Sequence, residues 1–137
     1  MTPTTGRFRR SDRVRDPRDF RRVSREGRRI SGRAFVVVVA ASGPGAEPGA
    51  QRLGLSASRR VGNAVVRNRV KRGVREWFRR RRAALPLSLD LVVIARGPAA
   101  QLGSAEIGAE LDGLARRIAR SAVRSGTASN LPGAGAS

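Results

Sequence analysis

The chain has no cysteine, no histidine and no tyrosine among its 137 residues. Without thiols it forms neither a disulfide nor a thiolate metal site, which fits a reducing compartment without demonstrating one. The same absences remove the usual general acids, bases and nucleophiles of a protein hydrolase, so a nuclease site built from side chains is not expected. Acidic residues are scarce: Asp12, Asp16, Asp19, Glu26, Glu47, Glu76, Asp90, Glu106, Glu110 and Asp112 are all there are. Asp12, Asp16 and Asp19 are close enough in sequence to suggest a magnesium site, but arginines interleave them and helix capping already accounts for them. Neither a Gly-rich phosphate loop nor a zinc-ligand spacing occurs. No apolar run approaches the ~20 residues that span a bilayer, and residues 1–16 are basic without the apolar core of a secretory signal. The expectation is a soluble, cytoplasmic protein with no metal ligand set of its own and no membrane role.

Positive charge is abundant instead. Twenty-nine basic against ten acidic residues give a formal net charge of +19, and a compact domain so charged repels itself unless a polyanion accompanies it. Nucleic acid is the default partner. Every basic residue but Lys71 is arginine, whose planar fork binds phosphate bidentately and stacks on bases. Genomic base composition can produce the same arginine bias. The charge is densest in residues 59–82, RRVGNAVVRNRVKRGVREWFRRRR, where helical spacing puts Val66, Val70, Val74, Trp77 and Phe78 on one arc of roughly 120°. Asn68, Lys71, Arg72, Arg75 and Arg79 share the opposite arc, so one face can bury while the other holds phosphate. Asn63, after Gly62, is the expected N-cap.

Length and apolar content suit one domain with a modest core. Residues 1–15 alternate arginine with small and polar residues, predicting a flexible basic arm. Asp16 as N-cap and Pro17 in the first turn predict a helix over 17–26, with Phe20 and Val23 on its apolar side and Gly27 at its end. Residues 34–41, AFVVVVAA, are a β-branched run of strand length. In QRLGLSAS, residues 51–58, Leu53, Leu55 and Ala57 alternate with Arg52, Gly54, Ser56 and Ser58. The two stretches, joined by GPGAEPG, read as an antiparallel hairpin whose small residues leave one face open. Residues 88–95 predict a third strand, completing a β-α-β unit, and Ile107, Leu111, Leu114, Ile118 and Ala122 predict a last helix over 104–124. Residues 125–137 read as a disordered tail. The order α-β-β-α-β-α predicts an α+β fold, a two-layer α/β sandwich on a small, mostly antiparallel sheet, as a single domain over 16–124.

The string SASRRVGNAVVRNRVKRGVRE, centred on Arg67-Asn68-Arg69, resembles the motif of the protein subunit of bacterial ribonuclease P. Asp19-Phe20, GR-x-FVV at 32–37 and DLVVIARGPA at 90–99 follow that family's order too, leaving only the two ends outside the resemblance. The resemblance implies a ribosomal-protein-domain-like fold with a fourth strand and a left-handed crossover, neither of which periodicity shows. It also implies a non-catalytic subunit, one per RNA and needing no other protein partner, that helps a catalytic RNA remove the 5′ leader of precursor tRNA. Mg²⁺ is then required by the RNA and not bound by the protein. On this resemblance Arg59, Arg60, Asn63, Arg67, Asn68, Arg69, Lys71, Arg72 and Arg75 contact RNA, where fixed cations lessen the Mg²⁺ needed to hold crowded phosphates. Phe20, Phe35 and Val37 line a cleft for the leader, where aromatic rings stack on bases. Two positions depart from the family pattern: Ser24 stands where a second aromatic is usual, and Val38 where one is frequent, which makes a poorer stacking platform. From the residues alone, a ribosomal-type or general RNA-binding protein would account for the same charge, as would a DNA-compacting protein, and the nucleic acid that co-purifies separates the three.

Overall fold

A computed structural model describes residue 14 and residues 17–43 and 49–129, with the backbone alone for 119–129. Its elements are α1 (Pro17–Glu26), β1 (Arg28–Ser31), β2 (Phe35–Ala41), β3 (Gln51–Ala57), α2 (Ala64–Arg81), β4 (Leu89–Ala95) and α3 (Ser104–Ser129), with short helical turns at Arg59–Val61, Arg82–Ala84 and Gly97–Gln101. The helix starts follow from local chemistry. Asn63 caps α2, its Oδ1 accepting the Val66 N–H at 3.0 Å, which satisfies one of the donors that a helix leaves open in its first turn. Gly62 before it sits at φ 147°, where a Cβ would also press within 3.0 Å of the Val66 Cβ, so glycine is what the chain needs to turn into the helix.

Two boundaries differ from expectation. α3 runs past 124 to Ser129, so 125–129 are helical and not part of an irregular tail. Within the basic arm, Val14 is buried and donates its N–H to Leu53 O at 3.0 Å, because the edge of β3 offers it an unpaired carbonyl and the α1 side of the sheet an apolar seat. The rest of the arm, the cap expected at Asp16 and residues 130–137 lie outside the described residues.

The sheet has four strands in the order β1-β2-β4-β3; β1–β2 and β2–β4 are antiparallel, β3–β4 parallel. The expected β2–β3 hairpin does not form, since β4 lies between them. The reason lies in side-chain character. β4 is apolar on both faces except at Asp90 and is buried along nearly its whole length, which suits a central strand, whereas β3 carries Arg52, Gly54 and Ser56 on one face and suits an edge. β1, the strand that sequence periodicity does not reveal, has only Ile30 buried among its four residues.

Register sorts the side chains into two faces. Ile30, Phe35, Val37, Leu53, Leu91, Val93 and Ala95 point toward α2 and α3 and join Val70, Val74, Trp77, Phe78, Ile107, Leu111 and Leu114 in the main core. On the other face the paired rows are Arg29–Val38–Val92–Gly54, Ser31–Val36–Ile94–Ser56 and Ala40–Asp90–Arg52. α1 covers part of this second face, with Val23 over Val36, Val38 and Val92 in a smaller core that Phe20 flanks. The domain is thus α+β with α2 and α3 as one layer and the sheet as the other, and α1 lies across the back.

Candidate nucleic-acid interface

The scarce carboxylates are engaged either between layers or within their own helices. All seven acidic residues among those described have a partner. Glu110 accepts from Ala34 N at 2.7 Å and Phe35 N at 3.1 Å, fastening α3 to the start of β2. Asp112 accepts from Trp77 Nε1 at 2.9 Å and pairs with Arg81 at 3.1 Å, joining α3 to α2. Glu106 caps its own helix by accepting from Gly103 N at 2.8 Å. Asp90, wholly buried, takes Arg52 Nε at 2.9 Å and Arg52 Nη2 at 2.7 Å, and also Arg22 Nη2. Asp19 stands 3.6 Å from Arg52 and 3.7 Å from Arg22, and Glu26 lies 3.9 Å from Arg22 and 3.8 Å from Arg25. The hydrogen bonds that Arg52 donates to Asp90 hold its guanidinium even more firmly protonated than usual. Glu76 bonds Arg79 and Arg80 on the outside of α2, and the Arg79 hydrogen bond draws its carboxyl below the usual carboxylate range. Among the described residues no three acidic side chains gather as a metal site; Asp12 and Asp16 are not among them.

What remains is positive charge without a carboxylate beside it. Val70, Val74, Trp77 and Phe78 bury one side of α2, which turns Asn68 and Arg72 fully outward and leaves Arg67, Lys71 and Arg75 half-buried at the margins. Arg59 and Arg60 are exposed on the turn that leads into the same helix. Among the described residues no carboxylate pairs with Arg59, Arg60, Arg67, Lys71 or Arg72, so α2 and its approach form a cationic surface with its field directed into solvent.

Two of the expected RNA contacts have structural duties. Asn63 spends its side-chain oxygen on the α2 cap. Arg69 lies on the flank of α2 that faces the turn Gly97–Gln101, and its fork donates to Ala100 O and Leu102 O, both at 2.7 Å. Those carbonyls end a short helical turn and have no partner within it, so Arg69 ties the turn to α2. Of the rest of the Arg67-Asn68-Arg69 motif, Asn68 faces outward and Arg67 lies at the margin.

The cleft residues need correction. Phe20 is half-buried on the underside of α1, above Gly54, where a Cβ would come within 2.9 Å of the Phe20 ring; the missing side chain is what seats the ring. Phe35 and Val37, however, are 0% and 1% exposed in the core beneath α2 and α3, on the opposite face of the sheet from Phe20. The residues that share a face with Phe20 are Val36, Val38, Val92, Ile94, Gly54 and Ser56. Of these Ile94 is half-exposed and Ser56 exposed, in one row beside α1. Sequence periodicity misses this because β2 is apolar on both faces and gives no parity. The signal was in β3, whose Gly54 and Ser56 mark the face that must pair with the non-core side of its neighbours. The cluster Arg22–Asp90–Arg52 leaves no signal in the sequence, because its members are far apart and only the register brings Asp90 level with Arg52.

Comparison with known proteins bears on the family and the fold. The family model described as Ribonuclease P matches residues 8–119. The ribonuclease P protein component of Desulfovibrio desulfuricans is 42% identical over 123 residues, covering 88% of this chain and 92% of that protein. That of Desulforapulum autotrophicum is 39% identical over 114 residues, 83% and 94% of the two chains. Among solved structures, the RNase P protein of Staphylococcus aureus superposes with a TM-score of 0.69 at 34% identity, covering 80% of this chain and 95% of that one. The Thermotoga maritima RNase P protein superposes with a TM-score of 0.68 at 34% identity, covering 77% and 96%. A cationic α2 on this α+β frame, a family match over most of the length and relatives covered nearly end to end lead to one assignment: the chain belongs to the ribonuclease P protein family.

Proposed function

We propose that this chain is the protein subunit of a ribonuclease P ribonucleoprotein, and that it binds one catalytic RNA and the 5′ leader of precursor tRNA while the RNA performs the hydrolysis that leaves the mature 5′ end. The observation that carries this is the division of charge. Every described carboxylate is engaged in a structural contact, so none stands ready to activate water. Arg59, Arg60, Arg67, Lys71 and Arg72, in contrast, pair with no carboxylate among the described residues and suit a phosphate backbone. Arg59, Arg60, Arg67, Asn68, Lys71, Arg72 and Arg75 are the contacts of this surface, with Arg69 and Asn63 holding its shape. Phe20 is the ring that meets the leader, above a row formed by Val36, Ile94 and Ser56. Mg²⁺ belongs to the RNA, and the arginines lower the concentration it needs by screening phosphates at close range. No described helix is long and apolar enough to cross a membrane, and the place of action is the cytoplasm, where precursor tRNA is made.

The test is reconstitution. The chain, added to the ribonuclease P RNA of its own organism, is expected to shift cleavage of precursor tRNA to lower Mg²⁺ and to bind that RNA in a one-to-one complex. If RNA recovered with the chain from cells is ribosomal, the reading as a ribosomal-type binding protein replaces this one; if it is bulk DNA, a compacting role does.

A further inference from the structure

The sheet face beside α1 is poor in rings and rich in cations. Phe20 is the one aromatic side chain among the described residues of that sheet face; one helical turn on, Ser24 is exposed, and Ser56, Ile94 and Val36 make the row beside it. The two flanks of α1 differ in charge. Asp19, Arg22 and Glu26 lie on the flank toward Ala41, Gly43 and Asp90, where Arg22 bonds Ala41 O at 3.2 Å and Asp90. Helical spacing places Arg21 and Ser24 on the other flank, above the Val36–Ile94–Ser56 row, with Arg25 beyond them toward solvent. Arg21 is exposed, and Arg25 is 71% exposed, with Glu26, 55% exposed, at 3.8 Å beside it. Arg29, on β1, shares the same sheet face through its register with Val38 and is also exposed.

We infer that this chain holds the leader mainly by its phosphates, with Arg21, Arg25 and Arg29 as a cationic rail beside a floor of small and aliphatic side chains and Phe20 as a single stacking contact. This rests on the proposed function and specifies how its cleft selects: by the presence of a single-stranded backbone, with little regard to base. Charge complementarity selects the occupant, because the flank has three exposed guanidiniums, no carboxylate for them among the described residues other than Glu26, and a single ring in its floor, which cannot bracket a base. Leader recognition is then strongly salt-dependent and tolerant of leader sequence.

The experiment uses the reconstituted holoenzyme and three RNAs: precursor tRNA with its natural leader, the same precursor with abasic leader nucleotides, and mature tRNA. The abasic leader is expected to keep most of the affinity gain that the natural leader confers over mature tRNA. Arg21→Gln with Arg29→Gln is expected to remove most of that gain and to lower the slope of log affinity against log salt by about 1.4, at ~0.7 per single-strand phosphate contact. Ser24→Phe supplies the missing ring and is expected to raise preference for the natural over the abasic leader by about tenfold. An abasic leader bound no better than mature tRNA overturns the inference in favour of base stacking, as does an unchanged salt slope in the double variant. If the unmodified holoenzyme does not distinguish natural precursor from mature tRNA at all, the leader-binding reading itself fails, and the inference with it.

Discussion

Removing the Asp90 carboxylate is the sharpest test of how α1 is held over the sheet. Asp90 is 0% exposed and accepts from Arg22 and Arg52, whose side chains are 15% and 17% exposed, so Asp90→Ala leaves two guanidiniums facing each other with their shared counter-charge gone. Breaking a buried pair from one side costs ~3–5 kcal/mol. Here Asp19 remains 3.6 Å from Arg52 and 3.7 Å from Arg22, and Ala41 O still accepts from Arg22, which puts the expected loss near the lower figure. For a domain of this length that is a fall in melting temperature of about 10 °C, out of a total stability of ~5–15 kcal/mol. Urea and thermal unfolding of the RNA-free chain measure it. The triple variant Asp90→Leu, Arg22→Met, Arg52→Met removes the charges together and is expected to recover most of the loss, because apolar replacements of a buried ion cluster are often neutral. A loss below about 1 kcal/mol for Asp90→Ala would refute the argument that the cluster is desolvated. A triple variant as unstable as the single one would refute the charge argument and leave only packing.

Other expectations follow from the same geometry. Arg67→Gln with Arg72→Gln should weaken binding to the ribonuclease P RNA and flatten its salt dependence by a little under one unit per arginine, with helix content by circular dichroism unchanged; a larger effect from Arg116→Gln with Arg117→Gln would place the surface elsewhere. Arg69→Gln should cost about 1 kcal/mol and raise hydrogen exchange in residues 97–102, while reducing RNA affinity less than Arg67→Gln, and the reverse order of affinities would make Arg69 a direct contact. Free of RNA, the purified chain should cleave no precursor tRNA at any Mg²⁺ concentration; sustained cleavage by a nuclease-free preparation, lost on Asp19→Asn without unfolding, would contradict it. Glu76, whose pKa in the folded chain is depressed by Arg79 and then Arg80, contributes stability that is present above about pH 4.3 and lost as the pH falls through its lower folded value. Glu76→Gln should therefore flatten the acid limb of a stability–pH curve and leave neutral pH nearly unchanged.

The sequence by itself determined the local elements and the kind of partner. Asn63 as cap, the apolar stripe from Val70 to Phe78, the span of α1 and the strands at 35–41, 51–57 and 89–95 all rest on interactions within a few residues, which is why periodicity and capping chemistry find them. The excess of arginine and the motif around Arg67 named the partner class for a similar reason, since charge and spacing survive without a fold. Tertiary structure alone decided strand order, face and pairing. β4 takes the place between β2 and β3 because it can bury both faces, and that choice separates a pair of strands that chain proximity would join. The four consecutive valines of β2 leave its parity open, so only α1 packing on Val36 and Val38 shows that Phe35 and Val37 belong to the core and not to the cleft. Arg22, Arg52 and Asp90 meet only across strands, and Arg69 finds Ala100 and Leu102 only once α2 and the turn after β4 are side by side. Each of these depends on contacts between residues distant in sequence, where the free energy of burial, not local preference, selects among arrangements that the chain alone leaves equivalent.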